Sequence, residues 1–142
     1  VSYRGQYHFR SGSTKQQLTG PALDRFLLAK QGKRWDAIPI PGVTVADLSK
    51  DVFSSFQQLC ENTGRLSESF LKSDFAMAID NLRLKEDGYL KRAAILLFDN
   101  EPERYVPGSF IKIGFFESES DLLFQDEVHG SILGQAQEAI DL

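Results

Sequence analysis

Arg10-Ser11-Gly12-Ser13-Thr14-Lys15 is the stretch in which residue type and spacing come nearest to a chemistry. A strand running into a Gly/Ser/Thr turn exposes backbone N–H groups, adds hydroxyl donors and flanks them with two cations. Those donors suit phosphate oxygens. Gln31-Gly32-Lys33-Arg34-Trp35 adds two further cations beside the only tryptophan. Lys33 and Arg34 can neutralise phosphates, while Trp35 either stacks on a base or anchors the following connector in a core. The candidate nucleic-acid-binding residues are therefore Arg10, Ser13, Thr14, Lys15, Lys33 and Arg34. Such contacts position a nucleic acid and carry no sequence specificity.

Other chemistries lack their residues. The chain has no Gly-x-x-x-x-Gly-Lys-Ser/Thr run and no Gly-x-Gly-x-x-Gly fingerprint, so neither nucleotide-binding loop is encoded. His8, Cys60 and His129 stand far apart without metal-ligand spacing and read as surface or packing residues. Cys60 falls on an apolar helical stripe, which places it in a core and away from any base that would activate it. Carboxylates gather at Glu101/Glu103, at Glu117/Glu119/Asp121 and at Asp126/Glu127. Paired carboxylates can bind metals or share protons, but no glycine-anchored loop holds these, and they read as solvated turns. No residue is expected to be catalytic, and no metal or cofactor is expected to be held by this chain. Most of the 11 phenylalanines fall on apolar faces and read as core.

The net charge of −4 divides unevenly along the chain. Residues 1–35 hold seven Lys/Arg against Asp24 alone, a net +6, and the remaining residues hold nine against nineteen acids, a net −10. A basic arm that meets polyanions beside an acidic remainder would look like this; so would a solvated basic face packed on an acidic neighbour. At 142 residues, with 42% hydrophobic and 25% charged residues, the chain is of single-domain size and ordinary globular composition. Its longest apolar run, Ala93–Phe98, is far short of the ~20 residues a membrane helix needs, so no membrane partner is expected. One cysteine and no signal peptide fit a reducing, cytoplasmic setting. The start at Val1 on a strand-like stretch and the end at Leu142 in an unfinished amphipathic pattern read as a piece of a longer chain.

The elements that would position these residues form an α+β class. Tyr7 and Phe9 alternate with His8 and Arg10, the period of a half-buried strand within Tyr3–Arg10. Thr19 and Pro21 open a helix over 20–31 that ends at Gly32. Pro39, Pro41 and Gly42 make 36–45 an extended connector or edge strand between a basic segment, 1–35, and an acidic scaffold, 46–142. A helix over 50–63, opened by Thr44 or Asp47 and closed by Gly64, precedes a second over 67–82, capped by Ser67 or Ser73. The tight Asp87-Gly88 turn follows. That order is shared with the winged helix-turn-helix, but the second helix presents a mixed, weakly acidic face, which favours scaffold or partner docking over groove reading. Leu90–Phe98 fits a buried strand or helix, and Ala93 and Ala94 favour helix. Strands at 110–116 and 122–125, joined by a polar loop over 117–121, form a hairpin. A final helix begins after Gly130 with Ile132, Leu133, Ala136, Ala139 and Ile140 inward.

Several of these segments together resemble a known family. They are Tyr7–Thr14, Ala22–Leu28, Gly32–Asp36, Asp87–Phe98, Pro107–Phe116 and Asp121–Gly130. In order, they resemble bacterial multidomain proteins of the RecG-related helicase and transcriptional-regulator type, which carry a Schlafen/AlbA-type DNA-binding domain. The resemblance implies that residues 1–35 close that domain and that the rest leads toward a GHKL-like ATP-binding domain. The Asn-Ala-x-x-His-Arg-Asp-Tyr motif of the latter is absent, so ATP belongs to the full-length protein and to no residue here. Three functions follow as expectations. The first is a DNA-binding regulator fragment making phosphate contacts. The second is a segment transmitting nucleotide state between the flanking domains of a DNA-dependent ATPase. The third is a structural homo-oligomerisation unit.

Overall fold

Four phenylalanines from three helices organise the larger part of the molecule. In the computed structural model, which describes residues 2, 3, 5–118 and 121–141, Phe98 is wholly buried. It meets Phe53, Phe56 and Phe75 edge-on at centroid distances of 5.8, 5.3 and 5.4 Å, while Phe53 and Phe75 stack at 4.3 Å. Edge-on and offset contacts place the positive ring edge against the negative face, adding about 0.5–1.5 kcal/mol per pair beyond burial. Arg4 and Glu119, counted above among the charges, and the terminal Leu142 lie outside the described residues.

The chain divides into two compact units, Val1–Ile38 and Pro39–Leu142, a division that falls within the 36–45 stretch. The first holds β1 (Ser2–Tyr3), β2 (Gln6–Ser11) and β3 (Thr14–Gln17) in an antiparallel sheet, then α1 (Gly20–Lys30). The second opens with β4 (Pro39–Ile40), an edge strand as Pro39 requires. It continues through α2 (Lys50–Thr63), α3 (Glu68–Leu71) and α4 (Phe75–Asn81) to β5 (Lys85–Glu86), β6 (Tyr89–Lys91) and α5 (Arg92–Phe98). The ribbon of β7 (Ile111–Ser118) and β8 (Asp121–Val128) and helix α6 (Ile132–Asp141) complete it. The class is α+β, with strands first and a hairpin running into a helix last.

Local rules explain most boundaries. The Ser49 hydroxyl accepts from the Val52 N–H to cap α2, and Gly64 closes it at φ 62°. Thr44 and Asp47, expected to open that helix, instead form a capping box around a single 3-10 turn, Val45–Asp47. The helix expected over 67–82 is two. The Ser73 hydroxyl donates to the Phe70 carbonyl and the Asp74 carboxylate accepts from Met77 N–H, so these polar side chains end α3 and cap α4. Asp87 and Gly88 both have positive φ, the type I′ turn that an Asp-Gly pair favours. Leu90 is strand and Arg92–Phe98 helix, so the ambiguous apolar run is both in succession.

The C-terminal part departs further from expectation. Glu117, Ser118 and Asp121, expected in a loop, lie in the strands. In α6 it is Gln135 that is buried, while Ile132, Ala136 and Ile140 face outward. The Gln135 amide donates to the Ser109 and Gly130 carbonyls at 2.6 and 2.7 Å, satisfying two acceptors that an apolar side chain would leave unpaired.

Candidate nucleic-acid interface

The Ser-Gly-Ser-Thr turn is the tip of a two-residue hairpin. Ser11 pairs with Thr14 across the turn, and Gly12 takes φ 60° at its first central position, the type II′ geometry suited to the strand twist. Beyond it, Arg10 pairs with Lys15, Phe9 with Gln16 and His8 with Gln17. Residues directly opposite share a face, so Arg10, Lys15, His8 and Gln17 lie on one side of the ribbon. All residues from Phe9 to Gln17 are exposed. Nδ1 of His8 is buried and, among the described residues, meets no hydrogen-bond partner.

Strand β3 went unrecognised in the sequence because Thr-Lys-Gln-Gln has no apolar alternation. The only signal that could have found it is the two-residue turn. Without β3, Arg10 and Lys15 are merely five residues apart; with it, they are cross-strand neighbours whose Cβ atoms stand about 4.5–5.5 Å apart.

The turn that closes helix α1 leads into the second pair of cations. Tyr7 packs on Phe26 at 5.7 Å, the Lys30 ammonium sits over the Tyr7 ring at 5.9 Å, and Leu18 N–H donates to the Tyr7 carbonyl at 2.8 Å. The helix ends in a Schellman arrangement, with Gly32 at φ 71°, Gly32 N–H donating to Ala29 and Lys33 N–H to Leu28. Lys33 leaves this cap half-buried and Arg34 exposed. Trp35 is 47% exposed at the start of a 3-10 turn, Trp35–Ala37. The structure thus unites Arg10, Ser13, Thr14 and Lys15 on one hairpin and carries Lys33 and Arg34 in the connection after α1 of the same unit. With Asp36 included, that unit holds seven Lys/Arg against two Asp, a net +5.

Elsewhere several polar groups pair with one another. The exposed residues of α4 are Ala76, Met77, Asp80 and Asn81, a surface without a cation to meet a phosphate. His129 contacts the Glu103 carboxylate at 3.0 Å and Glu127 at 3.7 Å and stacks on Phe110 at 5.3 Å, a cluster that sequence spacing did not foreshadow. Lys112 holds Glu127 at 2.8 Å, and that bond depresses the Glu127 carboxyl below its usual range. Half-burial raises the Cys60 thiol, which disfavours the nucleophilic thiolate. A polar cleft of about 280 Å³ is lined by Asp47, Asp99, Glu101 and Arg104 among others. There Asp99 accepts from Glu101 N–H, Glu101 pairs with Arg104 at 3.9 Å, and Asp47 is engaged by Thr44. Among the described residues no group of three His, Cys, Asp or Glu is placed to hold a metal ion, and no helix is long and apolar enough to cross a membrane. The chain matches no family model, and no curated protein or solved structure is significantly similar to it.

Proposed function

We propose that this chain is part of a nucleic-acid-binding protein, and that its first unit contacts the phosphate backbone through the β2–β3 hairpin. The observation that carries this reading is the cross-strand pairing of Arg10 with Lys15 beside an exposed Gly12-Ser13-Thr14 tip. Like charges directly opposite one another weaken a hairpin, and a phosphate between them turns that repulsion into attraction. Ser13 and Thr14 add hydroxyl donors at the tip, and Lys33 and Arg34 extend the cationic surface. The resemblance of Tyr7–Thr14 to the Schlafen/AlbA-type DNA-binding domain points to DNA as the polyanion, and to a regulator or helicase-related protein as the whole. The second unit, with eighteen acids against nine Lys/Arg, acts as scaffold.

Fluorescence anisotropy of labelled duplex and single-stranded DNA tests this. Four cations on phosphates give a log–log salt slope of about −3.6, so affinity falls roughly a hundredfold between about 50 and about 200 mM salt. The double variant Arg10→Glu/Lys15→Glu keeps like charges opposite one another, leaving the hairpin's internal repulsion in place. It is expected to reduce the slope by about two and to weaken all sequences alike. Absence of binding at the lower salt, or an unchanged slope in the variant, overturns the assignment.

A further inference from the structure

We infer that the first unit takes single-stranded DNA, whose bases stack on Phe9 and Trp35. This rests on the phosphate contacts proposed for Arg10 and Lys15. Phe9 is 43% and Trp35 47% exposed, the large hydrophobic side chains that stand open among the described residues of this unit. Each is next in the chain to a cation of the contact set, Phe9 to Arg10 and Trp35 to Arg34. Trp35 opens the Trp35–Ala37 turn half-exposed, where a core anchor would be buried. Tyr7 is engaged within the unit instead, with Phe26 against it at 5.7 Å and the Lys30 ammonium over its ring at 5.9 Å.

The ribbon's narrowness is what opens the Phe9 ring. β1 pairs with β2 at Gln6 and Tyr7, so among the described residues the sheet is two strands wide from His8 to its tip. Successive strand residues point to opposite faces. Phe9 and its cross-strand partner Gln16 therefore lie on one face, and Arg10 with Lys15 on the other. All four are exposed. A ligand that uses both faces carries its phosphates along one side of the ribbon and brings a base round to the other.

Duplex DNA does not divide itself in this way. Its bases are paired and stacked on one another, so a duplex laid on Arg10 and Lys15 leaves the Phe9 ring in water. Stacking on that ring would first cost the extrusion of a base. A single strand has open base faces and a pliant backbone, so its phosphates follow the cations while its bases settle on aromatic planes. The Gln16 amide beside Phe9 offers both donors and an acceptor to the edge of a stacked base. Stacking tolerates any base, in keeping with phosphate contacts that carry no sequence information.

Anisotropy of a labelled thymidine oligonucleotide and of a duplex of equal length, each titrated with the full chain at one salt concentration, tests this. The single strand is expected to bind about tenfold more tightly. Trp35 is the only tryptophan, so intrinsic emission reports its ring alone, and the single strand is expected to quench it. Phe9→Leu keeps an apolar side chain on the ribbon but removes the π face. It is expected to weaken single-strand binding about tenfold, with duplex binding and the salt slope unchanged, while Phe9→Tyr holds the wild-type affinity. Trp35→Leu, on a different element, is expected to act as Phe9→Leu does. Duplex bound as tightly as single strand, an unquenched Trp35, or wild-type single-strand affinity in both leucine variants overturns the inference and leaves the phosphate contacts standing. No binding of either form, or an unchanged salt slope in Arg10→Glu/Lys15→Glu, overturns the phosphate contacts and the stacking with them.

Discussion

Asp47 shows how a single exposed carboxylate stabilises a local turn. Its Oδ2 accepts from both the backbone N–H and the hydroxyl of Thr44, each at 2.8 Å, and the backbone bond is the main reason its carboxyl titrates below the usual range. Glu127 is lowered in the same sense, chiefly by Lys112. A carboxyl that binds its proton less readily when folded contributes stability above its unfolded pKa and loses it as the pH falls through the folded one. Melting temperature is therefore expected to drop as the pH falls from about 5 to about 3, and to drop less in Asp47→Asn. Circular dichroism melts across that range check it, and parallel curves for the two proteins would exclude the assignment. Thr44 and Asp47 were visible in the sequence as capping residues. That they cap one turn and leave α2 to Ser49 depended on Ser49 N–H reaching the Phe98 carbonyl at 2.8 Å, a contact between residues far apart in sequence.

Among the elements, two left-handed positions flank β5 with opposite consequences. Gly88 sits at φ 83° with open space around it, so Gly88→Ala pays backbone strain alone and is expected to cost about 1 kcal/mol. Arg83 holds φ 55° at the end of α4, where Leu84 N–H bonds to Ile79 and Arg83 N–H to Asp80, the place glycine usually takes. Arg83→Gly relieves that strain, is partly offset by unfolded-chain entropy, and is expected to gain about 0.5 kcal/mol. Urea unfolding of both variants tests the pair of signs, and the same sign in each would refute the backbone account. The Asp87-Gly88 turn was legible because its residues act through their own φ angles. The break between α3 and α4 was not, since Phe70, Leu71, Phe75, Ala78 and Ile79 keep helical spacing across it and only the polar competition at Ser73 and Asp74 interrupts the backbone.

Taken whole, the molecule has two units of unequal interior. Among the described residues, Leu18 is the one buried apolar residue of the first unit, whereas the second buries thirteen besides Pro102, from Val43 through Phe98 to Val128. Burial of a large apolar side chain contributes about 1.5–3 kcal/mol, so the two units differ widely in what opposes local opening. Native-state hydrogen exchange is expected to show the amides of β2 and β3 opening well before those of α5. Equal protection in the two would contradict that ordering. A polyanion bound to the hairpin is expected to raise the protection of the first unit selectively, which joins this prediction to the proposed function.

What the sequence determined alone is what each residue does by its own chemistry: the α+β class, the glycine and proline boundaries, the Asp-Gly turn, the segregation of charge and the cations around Gly12 and Gly32. These follow from backbone preference, periodicity and counting, none of which needs a neighbour distant in the chain. Tertiary structure decided the rest. It made Lys15 the partner of Arg10 through a strand of four polar residues, buried Gln135 where an apolar stripe faces solvent, and gathered His129 with Glu103. It also left Phe115, Phe116 and Phe124 exposed, although their residue type marks them as core. Which apolar residues are covered depends on how many elements surround them, and a two-stranded ribbon has too few.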